Sequence, residues 1–233
     1  MRVLITGAAG SIGSCLARGL VQRHDLRGFD RVAMPELDDA IVGDLADFDA
    51  VLAAASGMEA VIHLGGSPGE QPWDEISQNN YAGTYNVFEA ARQSGVRRLA
   101  FASRAGLLSA YPAELTRTLY MLPRPGNLYD VSKVFGESLG YMYSRSGDMA
   151  VVSVRIGNFT PDRDLPEHPH QLSHGDAVRV FEQAITHPGV VYEVVFGVSD
   201  SNWPMYDLEH GRRVIGYNPQ DRSEVPEEEW KTG

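Results

Sequence analysis

The sequence predicts an α/β domain built on a doubly wound parallel sheet. Three observations carry that reading. Short apolar runs alternate with longer helical patterns, the runs are nearly continuous in their hydrophobicity, and a glycine-rich turn joins the first run to the first helix. Continuous apolar runs are what strands covered on both faces require. Hydrophobic residues make up 43% of the 233 positions and charged residues 22%, enough apolar material for one large core.

The elements follow in order. Val3-Leu4-Ile5 is the first strand, and the helix Ile12 to Arg23 behind it carries Ile12, Leu16 and Leu20 on one stripe. Leu26 to Phe29 and Ala40 to Val42 are weaker strands. Val61 to Leu64 is the fourth. The next helix, Trp73 to Ser94, sets Ile76, Asn80, Thr84, Val87, Phe88 and Ala91 at steps of three or four and stops at Gly95. Leu99 to Ala102 is the fifth strand, Leu128 to Arg145 a helix ended at Gly147, and Val151 to Ile156 the sixth strand. Beyond a Pro- and His-rich loop, Pro161 to His170, Ser173 and Asp176 form a variant capping box for a helix to about Thr186. Val190 to Phe196 reads as one further strand. Residues 1–160 are expected to form the core; residues 161–233 are too few for a second domain and are expected to cap one side of a cleft as a small region of the same domain.

Thirty-one acidic against 20 basic residues give a net charge of −11, which repels phosphate backbones and anionic lipid heads. Nucleic acid and membrane surface are thereby poor partners, and a small molecule is the expected one. No apolar run reaches the roughly 18 residues of a membrane span. The opening residues turn into glycines too soon for a signal peptide, and Cys15 is the one cysteine, so a reducing, cytoplasmic setting is expected. Cys15 itself reads as a small buried filler.

Gly7, Gly10 and Gly13 lie in Thr6-Gly7-Ala8-Ala9-Gly10-Ser11-Ile12-Gly13, between a strand and a helix. Small residues there give a tight turn and let backbone approach a pyrophosphate, with the free N–H groups of the helix start, at Ser11 and Ile12 among others, facing the anion. A glycine trio alone also fits a plain strand-to-helix turn; the acid that follows is what points to a dinucleotide. Asp30 ends the second strand twenty-three residues after Gly7. A carboxylate there accepts the ribose hydroxyls and repels a 2′-phosphate, which favours NAD over NADP. The neighbouring Arg31 pulls the other way, since a guanidinium pairs with a phosphate. Asp44, followed by Leu45, has two readings: a contact to the adenine edge or a helix cap.

Tyr129 and Lys133 stand four apart on one helix face. A free tyrosine titrates near 10 and is a poor base at neutral pH. An adjacent ammonium and a positive nicotinamide ring favour the phenolate.

Gly7-x-x-Gly10-x-x-Gly13 with Tyr129-x-x-x-Lys133 resembles the short-chain dehydrogenase/reductase family, in its extended branch of NAD-dependent epimerases and dehydratases, over nearly the whole chain. Within it the chain is most similar to uronate dehydrogenases, through His63-Leu64-Gly65-Gly66, Phe88 to Arg92, Tyr129 to Glu137, Arg155-Ile156-Gly157 and Gly216 to Pro219. The resemblance implies a Rossmann sheet and an NAD-dependent oxidoreductase of a small sugar, sugar acid or polyol, with Tyr129 as base. It implies that Lys133 holds the ribose and that Asn80 positions a relay water. Leu64, Gly65, Gly66, Ser103 and Ile156 would lie along the cofactor, and Ser67 and Asn158 near the substrate. It also implies a homo-oligomer joined through the helices that hold Asn80 and Tyr129.

The chain departs from that pattern on the substrate side. The family's catalytic Ser or Thr position falls on Arg104, with Ser103 one residue early and turned the other way. Arg104 has three readings: a donor to the reacting oxygen, a direct ligand of a substrate carboxylate or phosphate, or the mark of a site that binds nucleotide without turnover. Arg163 is the nearest candidate for the arginine that clamps a uronate carboxylate, and it does not align. Two further functions therefore stand beside the dehydrogenase: a nucleotide-binding protein with a degenerate site, and an epimerase that retains its NAD. His168, His170 and His174 lack a carboxylate or thiolate companion at metal-ligand spacing, so no metal is expected and loop contacts or solvent exposure are the better reading. Trp73, Tyr81, Tyr85 and Phe88 read as helix packing or a dimer face.

Overall fold

The computed structural model of the chain describes residues 1–145 and 147–230. Seven parallel strands form one sheet in the order β3-β2-β1-β4-β5-β6-β7. They are β1 Arg2–Thr6, β2 Asp25–Asp30, β3 Asp39–Val42, β4 Ala60–His63, β5 Arg98–Arg104, β6 Ala150–Ile156 and β7 Tyr192–Gly197. The order reverses beside β1, and in such sheets the crevice at the carboxyl ends of the strands on either side of the reversal is where ligands sit.

Successive side chains of each strand enter opposite layers. Val3 and Ile5 join Leu16, Leu20, Ile62, Val152 and Phe181 on the face covered by α1 (Ser11–Leu20) and α6 (His174–Thr186). Leu4 joins Val61, Phe88, Leu99, Phe101 and Val151 on the other, under α2 (Phe48–Ala55), α4 (Gly83–Gln93) and α5 (Leu128–Ser144). Each such buried Leu, Ile or Phe stabilises the fold by roughly 1.5–3 kcal/mol. Cys15 is buried, its Sγ 3.6 Å from the His174 carbonyl.

Several elements differ from the sequence reading, and three of them bear on the helical layers. The single helix expected over Trp73 to Ser94 is broken into α3 (Trp73–Ile76), a π-helical stretch Ser77–Ala82, and α4. The wider turn rotates the side chains that follow it relative to regular helical spacing. Helix α2 gave no periodic signal, because Phe48-Asp49-Ala50-Val51-Leu52-Ala53-Ala54-Ala55 shows little contrast between its faces; it starts where the Asp47 side chain accepts the Ala50 N–H at 3.1 Å. Helix α7 (Glu209–Ile215) also went unseen.

Residues beyond 160 share the common core. β7 pairs along β6, and α6, capped by Ser173 on the Asp176 N–H at 3.0 Å, lies against α1 and β5. Among the described residues no helix is long and apolar enough to cross a membrane.

Candidate active site

A cavity of about 1040 Å³ opens at the carboxyl ends of β1, β2, β4, β5 and β6. Its first wall is the glycine turn. Gly7 has φ +72°, and a Cβ there would lie 2.7 Å from the Gly65 nitrogen; a Cβ at Gly13 would lie 2.2 Å from the Gly7 carbonyl oxygen. Only hydrogen fits, so the turn, the helix start and the end of β4 close on one another. Gly10 caps α1 without a side-chain bond, the first turn has no acid, and the first helical bond found runs from Ser14 N–H to Gly10 O at 2.8 Å. The N–H groups of Ser11, Ile12 and Gly13, all on the wall, are left to face an anion.

Asp30 lines the same wall, its Oδ2 accepting the Ala9 N–H at 3.0 Å and its Oδ1 only a long contact from Val32 N at 3.4 Å. Arg31 is beside it. Asp44 and Leu45 also line the cavity. Asp44 turns on the Ala46 N–H at 2.9 Å, and the cap of the following helix is Asp47, so the cap reading of Asp44 is corrected. Leu64, Gly65, Gly66, Ser103 and Ile156 complete this half. The donor and acceptor set, an uncapped helix start with a carboxylate at the end of β2, fits a dinucleotide.

Tyr129 and Lys133 meet this wall from α5. The Lys133 Nζ lies 5.2 Å from the Tyr129 ring centre and 5.3 Å from that of Phe101. Burial, with the Arg104 charge second, lowers the Lys133 ammonium to about 8. Burial pushes the Tyr129 phenol above its usual value, and the cation that opposes this is Arg104, its Cζ 5.5 Å from the ring centre. The sequence reading assigns that effect to Lys133 together with the nicotinamide ring; the structure adds Arg104.

Arg104 ends β5 and lines the cavity, with Nη1 donating to Asp130 Oδ1 at 2.7 Å. Ser103, which also lines the cavity, turns its hydroxyl the other way, as expected: its Oγ donates to Glu137 Oε1 at 2.6 Å. Arg155 on β6 grips the same Glu137 through Nε and Nη2, both at 2.8 Å.

Asn80 and Ser67 are placed behind the wall rather than on it. The Asn80 amide accepts from Ser67 N at 2.8 Å and donates to Ser67 O at 3.1 Å and Ser132 Oγ at 3.2 Å. The Ser67 hydroxyl donates to Glu75 Oε1 at 2.6 Å and accepts from Asn79 Nδ2 at 2.9 Å. The π-helical stretch leaves Asn79, not Asn80, on the cavity. Asn158 is on the wall; Arg163 is not, and pairs with Glu167 at 2.5 Å. His170 lines the cavity, His168 stacks on it with ring centres 5.6 Å apart, and His174 pairs with Asp164 at 2.9 Å.

Residues that no sequence signal marked also reach the cavity: Phe159, Arg117, Met205 and Tyr206. They come from loops without periodicity, and Tyr206 lies some ninety residues from Arg117 although the two form a backbone bridge.

His63, at the end of β4, is buried between Thr6 Oγ1 at 2.7 Å on Nδ1 and Thr84 Oγ1 at 3.2 Å on Nε2. Burial, and then the Lys133 charge, lower it to about 3. An unfolded histidine titrates near 6.5, so between those values the unfolded chain binds the extra proton and stability falls as pH drops, by up to about 1.4 kcal/mol per pH unit. Denaturant titrations of wild type and His63→Gln from about pH 6.5 to 4.5 should show a shallower slope in the variant. Identical slopes would show that His63 is not the group responsible.

The family model described as NAD dependent epimerase/dehydratase family matches residues 3–192. The chain is 38% identical to an NAD-dependent glucose-6-phosphate dehydrogenase of Haloferax volcanii, over 95% of this chain and 94% of that protein. It is 35% identical to a uronate dehydrogenase of Pseudomonas syringae pv. tomato, over 96% and 83%. Among solved structures, a mutant of uronate dehydrogenase from Agrobacterium tumefaciens complexed with NAD superposes with a TM-score of 0.87 at 34% identity, over 95% of this chain and 85% of that one.

Proposed function

The chain belongs to the NAD dependent epimerase/dehydratase family, and from that premise we propose its reaction: it is an NAD-dependent oxidoreductase of a small sugar, sugar acid or polyol. The observation that carries this reading is the convergence, on one cavity, of the glycine turn with Asp30 on one side and Tyr129 with Lys133 on the other. Binding alone would need only the first pair.

The glycine turn and the first-turn N–H groups of α1 would hold a pyrophosphate, and Asp30 Oδ1 would accept from the ribose. The nicotinamide, when bound, supplies the hydride acceptor and a positive charge. Tyr129 Oη takes the proton of the substrate hydroxyl, and the charge of Arg104 stabilises the phenolate against the burial that disfavours it, with the Lys133 ammonium 5.2 Å from the ring centre. Arg104, held by Asp130, presents donors at the position where the family resemblance places a Ser or Thr, and steadies the reacting oxygen or an anionic group of the substrate. Asn158 and Asn79 supply neutral polar contacts at the wall.

Steady formation of NADH at 340 nm over a panel of aldoses and uronic acids tests the reading against an NAD-retaining epimerase, which would give none. Asp30→Ser should lower the preference for NAD over NADP in kcat/KM by at least about tenfold, because the carboxylate that repels a 2′-phosphate is gone. An unmoved ratio would assign the preference elsewhere.

Trp73, Tyr85, Val131, Tyr141 and Met142 leave large apolar area exposed on and around α3, α4 and α5. We assign this face to contact with a second copy of the chain; light scattering at the monomer mass would refute it.

A further inference from the structure

Arg117 is 6% exposed and lines the cavity, yet it pairs with no carboxylate among the described residues. Arg104 is neutralised by Asp130 at 2.7 Å and Arg155 by Glu137 at 2.8 Å; Arg31, beside Asp30 on the wall, has no ion pair among the described residues either, but it is exposed to solvent, where Arg117 is buried. Arg117 instead donates from Nη1 to the carbonyls of Ala113 at 3.4 Å and Leu115 at 3.3 Å, and from Nη2 to that of Tyr111 at 3.3 Å. These are neutral acceptors at the long end of the hydrogen-bond range. Three of the five donors are used, which leaves Nε and one Nη2 hydrogen for another acceptor. A buried cation without a counter-charge is unfavourable in itself, so the arrangement is best explained by an anion that arrives from outside.

The position is fixed by the backbone. Arg117 N–H donates to Met205 O at 2.8 Å, Asp207 N–H donates to Arg117 O at 2.9 Å, and Thr116 Oγ1 donates to Pro204 O at 2.9 Å. The guanidinium lies 5.8 Å from the centre of the Tyr206 ring. Both Arg117 and Arg104 pull against the burial that raises the Tyr206 phenol, and Arg117 adds to the burial that lowers His170. Two guanidiniums therefore act on one corner of the cavity, in a chain whose net charge is −11. A purely structural staple for the 111–115 loop needs hydrogen-bond donors but no charge. The positive corner is what the staple leaves unexplained.

We propose that Arg117, together with Arg104, binds an oxyanion carried by the substrate, a carboxylate or a phosphate on the sugar, and that Arg117 determines the selectivity for charged over neutral sugars. The inference rests on the sugar-oxidoreductase reading and deepens it by naming the substrate class. A guanidinium edge matches both oxyanions in two-point geometry.

Calorimetric titration of the NADH-loaded protein with D-glucose, D-glucuronate, D-glucose 6-phosphate and inorganic phosphate tests it. At least one charged sugar should bind tenfold or more tighter than glucose, and which one does so identifies the oxyanion. Arg117→Met should lower the ratio of charged to neutral affinity at least tenfold, and Arg117→Lys by less. Equal affinities in the wild type, or a ratio that Arg117→Met leaves in place, overturns the proposal; so does an equal loss for all sugars, the signature of a loop staple. Should Arg117→Met fail to fold, Arg117→Lys decides: a ratio lowered at least threefold supports the proposal, and a smaller change overturns it. Phosphate binding that Arg117→Met removes, with no sugar bound by the wild type, would keep the anion site and sink the sugar reading instead.

Discussion

Tyr129→Phe should lower kcat about a thousandfold, a loss of roughly 4 kcal/mol in transition-state stabilisation. The phenol is the group on the cavity wall placed to take a hydroxyl proton, and phenylalanine keeps the ring contacts to Lys133 and Arg104 while removing that atom. Cofactor affinity should hold, because the glycine turn and Asp30 lie on a different wall and share no hydrogen bond with Tyr129 in the structure. The split between kcat and NADH affinity separates a lost base from a collapsed site. Stopped-flow traces and NADH fluorescence titration read the two quantities. A variant that keeps turnover within tenfold of wild type would remove Tyr129 from the chemistry, and with it the proton route.

The largest loss of stability is expected at Arg155. Its side chain and that of Glu137 are 5% and 9% exposed, joined by two bonds of 2.8 Å, and Ser103 adds a third bond to the same carboxylate. Arg155→Met leaves Glu137 charged and buried with one neutral donor, at a cost of about 3–5 kcal/mol. For a chain of this length that corresponds to a fall in Tm of roughly 6–20 °C. The double variant Arg155→Met with Glu137→Leu removes both charges and should recover most of the loss, since an apolar pair of similar volume is often as stable as the ion pair. Glu137 stands one turn beyond Lys133 on α5 and ties that helix to β5 and β6, so the single variant should also lose turnover through misplaced Tyr129 and Lys133. Thermal unfolding of the three proteins measures the effect. If the single variant melts within a few degrees of wild type, the pair contributes little.

Much of the site was legible because its signals are local. The glycines at 7, 10 and 13 answer to turn geometry and close approach, and their spacing is written in eight consecutive residues, although the backbone that Gly7 approaches is that of Gly65. Tyr129 and Lys133 needed only the helical repeat to bring them to one face. The turned-away Ser103 followed from strand alternation, which sends neighbours to opposite sides of a sheet. The stripe of Ile76, Asn80, Thr84, Val87, Phe88 and Ala91 is buried as the helical repeat predicts, but the π-helical stretch Ser77–Ala82, which sets Asn79 on the cavity, left no mark in the pattern. Helix α2 was missed because an alanine-rich segment carries no contrast between its faces.

Sequence by itself determined the parallel sheet, the dinucleotide turn, the acid at the end of β2 and the Tyr–Lys pair. Each is set by backbone stereochemistry and side-chain period over a few neighbouring residues. The fold alone decided which arginine is balanced and which is bare: Asp130 reaches Arg104 and Glu137 reaches Arg155, whereas Arg117, among the described residues, meets carbonyls and the Tyr206 ring and no carboxylate. Charge balance inside a protein depends on which distant segments pack into one volume. Loops of irregular structure arrive there by the packing of the elements that carry them, and they leave no periodic trace in the chain.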